Sequence, residues 1–174
     1  MIYFEKDLNL TIGILAANKT FEQIRATYES LGVLKYPVQR LVNVPEDYDV
    51  TELKNRKYNF IQKGKTLTSL IDGLCKEAKT EWIYFAFAGR KVQKNIDSKY
   101  SIYASDYKNV IFPVVKRVWN FVDGSMDGLL INKKFHEEVG EFGDGDDLEI
   151  TKLMWAGKAV EKGAKFKAIV GAAY

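Results

Sequence analysis

The chain has 174 residues, 47% of them apolar and 28% charged, which fits one globular domain with a single core and excludes a disordered or fibrous chain. Its net charge of +3 is spread among mixed Lys, Arg, Asp and Glu, with no basic run of the kind that binds nucleic acid. The one cysteine, Cys75, rules out an internal disulfide or a thiolate metal cluster; no apolar run reaches the roughly 20 residues of a membrane span, and the charged start shows no signal peptide, so the cytoplasm is the expected compartment.

In chain order, residues 8–16 form a short apolar run and predict a buried strand. Thr20-x-x-Gln23 is a capping-box pattern. Phe21, Ile24, Tyr28 and Leu31 follow at helical spacing, with Gly32 as the stop. Residues 38–44 predict a second strand, followed by a polar loop, PEDYDVTELKNRK. Residues 58–62 predict a third strand. Between residues 65 and 78, Leu67, Leu70, Ile71, Leu74 and Ala78 make a helical stripe. Residues 81–88 (EWIYFAFA) are almost continuously apolar and predict a central strand covered on both faces.

The second half is less regular. Residues 109–121 are strand-like, with Pro113 implying an edge or a bulge. Residues 128–131 predict a short strand. Asn132 can cap a short helix through Val139, with Gly140 as its stop. Residues 146–156 predict a helix that Asp144 can cap, with acids in its first turn, ended by Gly157 or Gly163, and residues 165–170 a last strand. This alternation predicts one α/β domain over residues 1–174, with a mixed, mainly parallel sheet flanked by helices. Residues 8–16, 38–44 and 81–88 are the expected inner strands. Ile12, Ile14, Leu41, Leu70, Ile71, Leu74, Ile83 and Phe85 are expected to be buried.

In such sheets ligands gather beyond the carboxyl ends of the strands. The first strand ends in ILAANKT, where Ala17 leaves room for a ligand and Asn18 offers an amide, or where small residues simply turn into a helix. The second ends in LVNVPEDYDVT, whose Asn43 and Asp49 can hold a ribose or a base edge, or belong to a solvated acidic loop. The fourth ends in FAFAGRK, with Arg90 and Lys91 as candidate phosphate contacts or ordinary surface cations. Asp146 and Asp147 are a candidate general base and its like-charged neighbour, or the acids that suit a helix start. Gly64-Lys65-Thr66 is not a P-loop, since Asn59 stands where the pattern needs glycine. Asp144-Gly145-Asp146-Asp147 lacks the downstream spacing of an EF-hand. His136 is the only histidine, which disfavours a catalytic triad or a His-rich metal site.

Together these pieces resemble the family 2 nucleotide-sugar glycosyltransferases of GT-A fold. LAANKT corresponds to that family's first turn and keeps Asn18. Asp49-Val50-Thr51 keeps the close of its Asp-rich loop, while Asn43 stands where a base-binding Asp is expected. KEAKTEWIYFAFA follows the rhythm of its third helix and fourth strand, and GLLINKKFHEEVGEFGDGDDLEITKLMWAG that of its late motif. The resemblance implies a nucleotide-sugar donor, an unidentified saccharide or protein acceptor, and Asp147 as general base with Asp146 beside it. It implies Ala17, Asn18, Asn43, Asp49, Arg90 and Lys91 along the donor. One departure stands out: Ala86-Phe87-Ala88 replaces the family's metal-binding Asp-x-Asp. No divalent cation is therefore expected there, and no other cofactor is implied. The alternative is a non-catalytic GT-A-like domain that binds a nucleotide, a sugar or a protein partner.

Overall fold

The computed structural model describes residues 9–31, 39–90, 100, 102–113 and 126–169. Seven strands form one sheet: β1 (Leu10–Leu15), β2 (Gln39–Asn43), β3 (Phe60–Ile61), β4 (Trp82–Phe87), β5 (Asn109–Pro113), β6 (Leu130–Asn132) and β7 (Lys165–Ile169). The helices given in full by the described residues are α1 (Phe21–Ser30), α2 (Thr51–Asn55), α3 (Leu67–Glu77), α4 (Lys133–Val139) and α5 (Leu148–Glu161). The strand order is β3-β2-β1-β4-β6-β5-β7. β3, β2, β1 and β4 run parallel, as do β5 and β7, while β6 runs antiparallel to both of its neighbours.

Both sheet faces are covered because the inner strands alternate between two apolar sets. Ile12, Ile14, Val42, Tyr84 and Ala86 pack towards Ile24 of α1 and Leu53 of α2. Leu41, Ile83, Phe85 and Ile131 pack towards Leu70 and Leu74 of α3, Phe135 of α4 and Trp155 of α5. The eight side chains expected in the core are all buried, and β1, β2 and β4 are interior strands as expected. Aromatic rings serve this packing: Tyr28 stacks on Tyr58, and Phe142 on Trp155.

Local signals set the helix ends. Thr20 caps α1 with the full capping box to Gln23, and Thr66 caps α3 with Ser69 in the reciprocal role. Asn132 caps α4, and Gly140, at φ 101°, ends it in a backbone region that glycine enters without strain. Gly32, the expected stop of α1, lies outside the described residues.

Four expectations change. The polar loop after β2 contains the short helix α2, whose buried Leu53 anchors it to the core. Pro113 marks neither an edge nor a bulge: it is the last described residue of β5, which lies between β6 and β7 and pairs in unbroken register with β7, while residues 114–121 of the expected strand lie outside the described residues. The last helix begins at Leu148, after Asp146 and Asp147, and runs through Gly157 to Glu161, because Trp155, Ala156 and Ala159 remain buried along it. Asp147 rather than Asp144 is its cap.

Candidate functional site

The register aligns the ends of the parallel strands. Leu15 of β1 pairs with Asn43 of β2 and Phe87 of β4, and Asn43 pairs with Ile61 of β3. One row therefore runs Ile61, Asn43, Leu15, Phe87, and the loops beyond it share one edge. This edge gathers Ala17, Asn18, Asp49 and Arg90. Ala17 is half-buried and Asn18 exposed at φ 53°, a left-handed conformation that asparagine tolerates better than most residues. Lys91 lies outside the described residues.

On the β2 side the end is knitted from within. Asn43 is fully buried. Its Nδ2 donates to Lys63 O at 2.9 Å and Leu70 O at 2.8 Å, and its Oδ1 accepts from Lys63 N at 3.0 Å. Both amide hydrogens are thus spent on internal backbone, so Asn43 shapes the strand end from below instead of reaching into the cleft. Gly73 makes room for this. A Cβ there would stand 2.4 Å from Lys63 O and 2.8 Å from Asn43 Nδ2.

Gln62 Nε2 donates to the carbonyls of Pro45 and Tyr48, both at 3.1 Å, and so holds the acidic loop. Asp49 is exposed, and its Oδ1 accepts from Thr51 Oγ1 at 2.6 Å and Thr51 N at 3.0 Å. Those bonds, the hydroxyl's first, hold its carboxyl below the usual aspartate range. An open groove of about 410 Å³ lies between this loop and the start of α3, with Glu46, Lys63, Ser69 and Asp144 on its walls.

On the β4 side the end is charged. Gly89, at φ 96°, turns the chain out of the strand, and its N–H donates to Gln23 O and Thr27 Oγ1 of α1. Thr27 Oγ1 donates in turn to Arg90 O at 2.6 Å. The half-exposed Arg90 places Nε 3.4 Å from Oδ2 of Asp127, whose side chain is only 8% exposed. Asp127 Oδ1 accepts from Phe87 N at 2.8 Å. Sequence reasoning missed Asp127, because its position depends on β6 running antiparallel and so beginning beside the end of β4. An acid immediately before Gly128 and a short apolar strand was the available signal.

Ala86 and Ala88 are buried under α1 and offer no oxygen to a cation. Among the described residues, no group of three or more His, Cys, Asp or Glu side chains is placed to hold a metal. The side chains of Ala86 and Ala88 supply no carboxylate where the family has its Asp-x-Asp, and the carboxylate beside them, Asp127, meets Phe87 N and Arg90.

The acidic segment before α5 reaches the same end of the sheet by gripping the start of α3. Thr66 Oγ1 donates to Asp144 Oδ1 at 3.3 Å, and Thr68 Oγ1 to Gly143 O at 2.7 Å. Buried Asp72 of α3 accepts from Phe142 N at 2.9 Å and Gly143 N at 2.8 Å, with His136 Nε2 2.9 Å from its Oδ1. The single histidine is thus part of the clamp under this segment. Asp147 Oδ1 accepts from Glu149 N and Ile150 N as a helix cap, and both Asp146 and Asp147 are exposed. Hydrogen bonds from Ser69 and Thr66 hold the Asp144 carboxyl below its usual range.

This architecture is a GT-A-like α/β domain. No family model and no curated protein sequence matches the chain. Solved structures do resemble it. The mannosyltransferase PcManGT from Pyrobaculum calidifontis, in complex with GDP-Man and Mn2+, superposes with a TM-score of 0.73 at 12% identity, over 98% of this chain and 58% of that one. GalNAc-T7 with UDP, GalNAc and Mn2+ gives 0.72 at 12% identity, over 95% of this chain and 43% of that one. TarS from S. aureus gives 0.67 at 12% identity, over 96% and 36%. The likeness is one of fold, and the chain spans between about a third and three fifths of these proteins' length. Among the described residues no helix is long and apolar enough to cross a membrane.

Proposed function

We propose that the domain binds a nucleotide-diphosphate sugar along the shared strand-end edge and transfers its sugar to a hydroxyl acceptor. The observation that carries this reading is the single row formed by the ends of β3, β2, β1 and β4, with Arg90 at one side and the Asp146–Asp147 segment anchored to α3 at the same end. Two proteins of like fold bind their nucleotides with a sugar, as GDP-Man in PcManGT and as UDP with GalNAc in GalNAc-T7. In the proposed reaction, Asp147, with Asp146 beside it, takes the proton of the acceptor hydroxyl. The acceptor oxygen bonds to the anomeric carbon while that carbon's bond to the phosphate oxygen breaks, and the nucleoside diphosphate leaves. Arg90, with Lys91, supplies positive charge as the leaving group becomes more negative. Asn18 and Asp49 border the donor, Ala17 leaves it space, and Asn43 sets the shape of the floor.

The buried methyl groups of Ala86 and Ala88 support a donor site whose positive charge comes from side chains. A thermal-shift series with UDP-, GDP- and other nucleotide sugars, with manganese and with excess EDTA, tests this, since a ligand of the folded state raises the melting temperature. The expected result is stabilisation by one nucleotide class that persists in EDTA. Stabilisation only with manganese would mean that carboxylates elsewhere hold a cation. A second reading, a binding domain without turnover, is favoured by the engagement of Asp147 Oδ1 as a helix cap. It predicts the same thermal shift with no product.

A further inference from the structure

Helix α5 carries two faces. Thr151, Lys152, Trp155, Ala156 and Ala159 are buried against the domain. The opposite side is apolar as well: Ile150, Leu153, Met154 and Val160 are 56, 58, 66 and 60% exposed. They recur at helical spacing and form one stripe. Gly157 lies within it, and a Cβ there would meet nothing within 4 Å. A solvated helix of this length would normally carry charged residues on such a face.

We propose that this stripe is a homodimer interface, in which α5 packs antiparallel against α5 of a second copy of this chain. Three observations lead to that occupant. First, the charges at the two ends of α5 are self-complementary. Asp146, Asp147 and Glu149 stand at its start, and Lys158 and Lys162 near its end, with Glu161 and the buried Lys152 the exceptions. Antiparallel pairing about a two-fold axis sets each acidic start beside the partner's basic end, and opposes the two helix dipoles. Second, the stripe is centred between Met154 and Gly157, so the axis brings Met154 of one copy over the bare backbone at Gly157 of the other. Third, four large apolar side chains, each more than half exposed, share one helix face, where a monomer ordinarily leaves such residues scattered singly. A lipid surface is the poorer match, because helices that lie on membranes carry a Lys- and Arg-rich polar face. Here the acids gather at one end of the helix and lysines stand towards the other.

The test is sedimentation equilibrium of the full chain over a concentration series, with far-UV circular dichroism as the folding control. The expected result is a monomer–dimer equilibrium. Leu153→Glu should weaken it at least roughly 30-fold, the effect of losing one interface anchor. Met154→Lys is a second variant, and both residues are exposed enough that the fold does not depend on them. Orientation is read by cross-linking, for which the buried Cys75 leaves an introduced cysteine as the reactive thiol. A short bis-thiol reagent should join two Gly157→Cys chains and fail on Lys162→Cys, whose symmetry mate lies about 20 Å away along the helix. A chain that stays monomeric at every concentration overturns the proposal. So does equal cross-linking of Lys162→Cys, or a monomer whose Leu153→Glu variant loses only binding to anionic vesicles.

Discussion

The two sides of the strand-end edge are built differently. Under β2 and α3, Asn43 and Asp72 are buried and bonded to backbone groups of three separate segments. Beside β4 and before α5, Arg90, Asp144, Asp146 and Asp147 are exposed. The first side bears the cost of burying polar groups and offsets it with fully directed hydrogen bonds, which makes it rigid. The second keeps charge where a ligand can meet it, at little cost to folding and with little contribution to it. A site of this kind needs both, a shaped floor and accessible charge. Substitutions on the two sides should therefore separate, the first changing stability and the second changing ligand binding and turnover.

The largest expected effect is at Asp72. Asp72→Ala leaves Phe142 N, Gly143 N and His136 without their common acceptor. Breaking such a buried cluster should cost about 3–5 kcal/mol in urea unfolding. A loss below about 1 kcal/mol would mean that the clamp is not a stability element, and the contrast between the two sides would fail.

Asp147→Asn sharpens the contrast from the other side. Asparagine caps a helix about as well as aspartate, so unfolding should move by only a few tenths of a kcal/mol. Turnover, measured as release of nucleoside diphosphate, should fall about 10²–10⁴-fold if Asp147 takes the acceptor proton. Unchanged turnover in a folded variant would move the base to Asp146 or remove it from this segment.

Arg90→Ala should weaken nucleoside-diphosphate binding by about 1.5–3 kcal/mol, the size of a hydrogen bond to a charged group, in calorimetry with EDTA present. Asp127→Asn should keep the contact to Phe87 N while removing the carboxylate charge beside Arg90. If neither variant alters affinity, the cations at this strand end are surface charges.

The smallest effect concerns pH. Hydrogen bonds from Ser69 and Thr66 lower the folded-state pKa of Asp144 below the ordinary 3.8. A lowered folded value contributes stability that is present above 3.8 and lost as pH falls through the lowered value. For so exposed a group this amounts to about 0.2–1 kcal/mol. The slope of unfolding stability against pH between about 5 and 2 should flatten in Asp144→Asn. An unchanged slope would assign no role to the Thr66–Asp144 link.

The sequence by itself determined the elements whose signals are local. The capping boxes at Thr20 and Thr66, the Asn132 cap with the Gly140 stop, and the apolar runs of β1, β2 and β4 depend on bonds or burial patterns within a few residues. The candidate site was placed by a general rule, that ligands favour the carboxyl ends of parallel strands. Only the tertiary structure decided what each side chain does there. Asn43 reads as a ligand contact until α3, seated closely through Gly73, uses its amide for backbone. Asp147, a candidate base in the sequence, is also the cap of the helix that starts one residue later, which engages one of its oxygens. Asp127 is invisible until β6 pairs antiparallel with β4 and delivers it to Arg90. The roles of Asn43 and Asp127 rest on contacts between residues 20 to 40 positions apart, and no local pattern encodes which distant group will reach a given atom first.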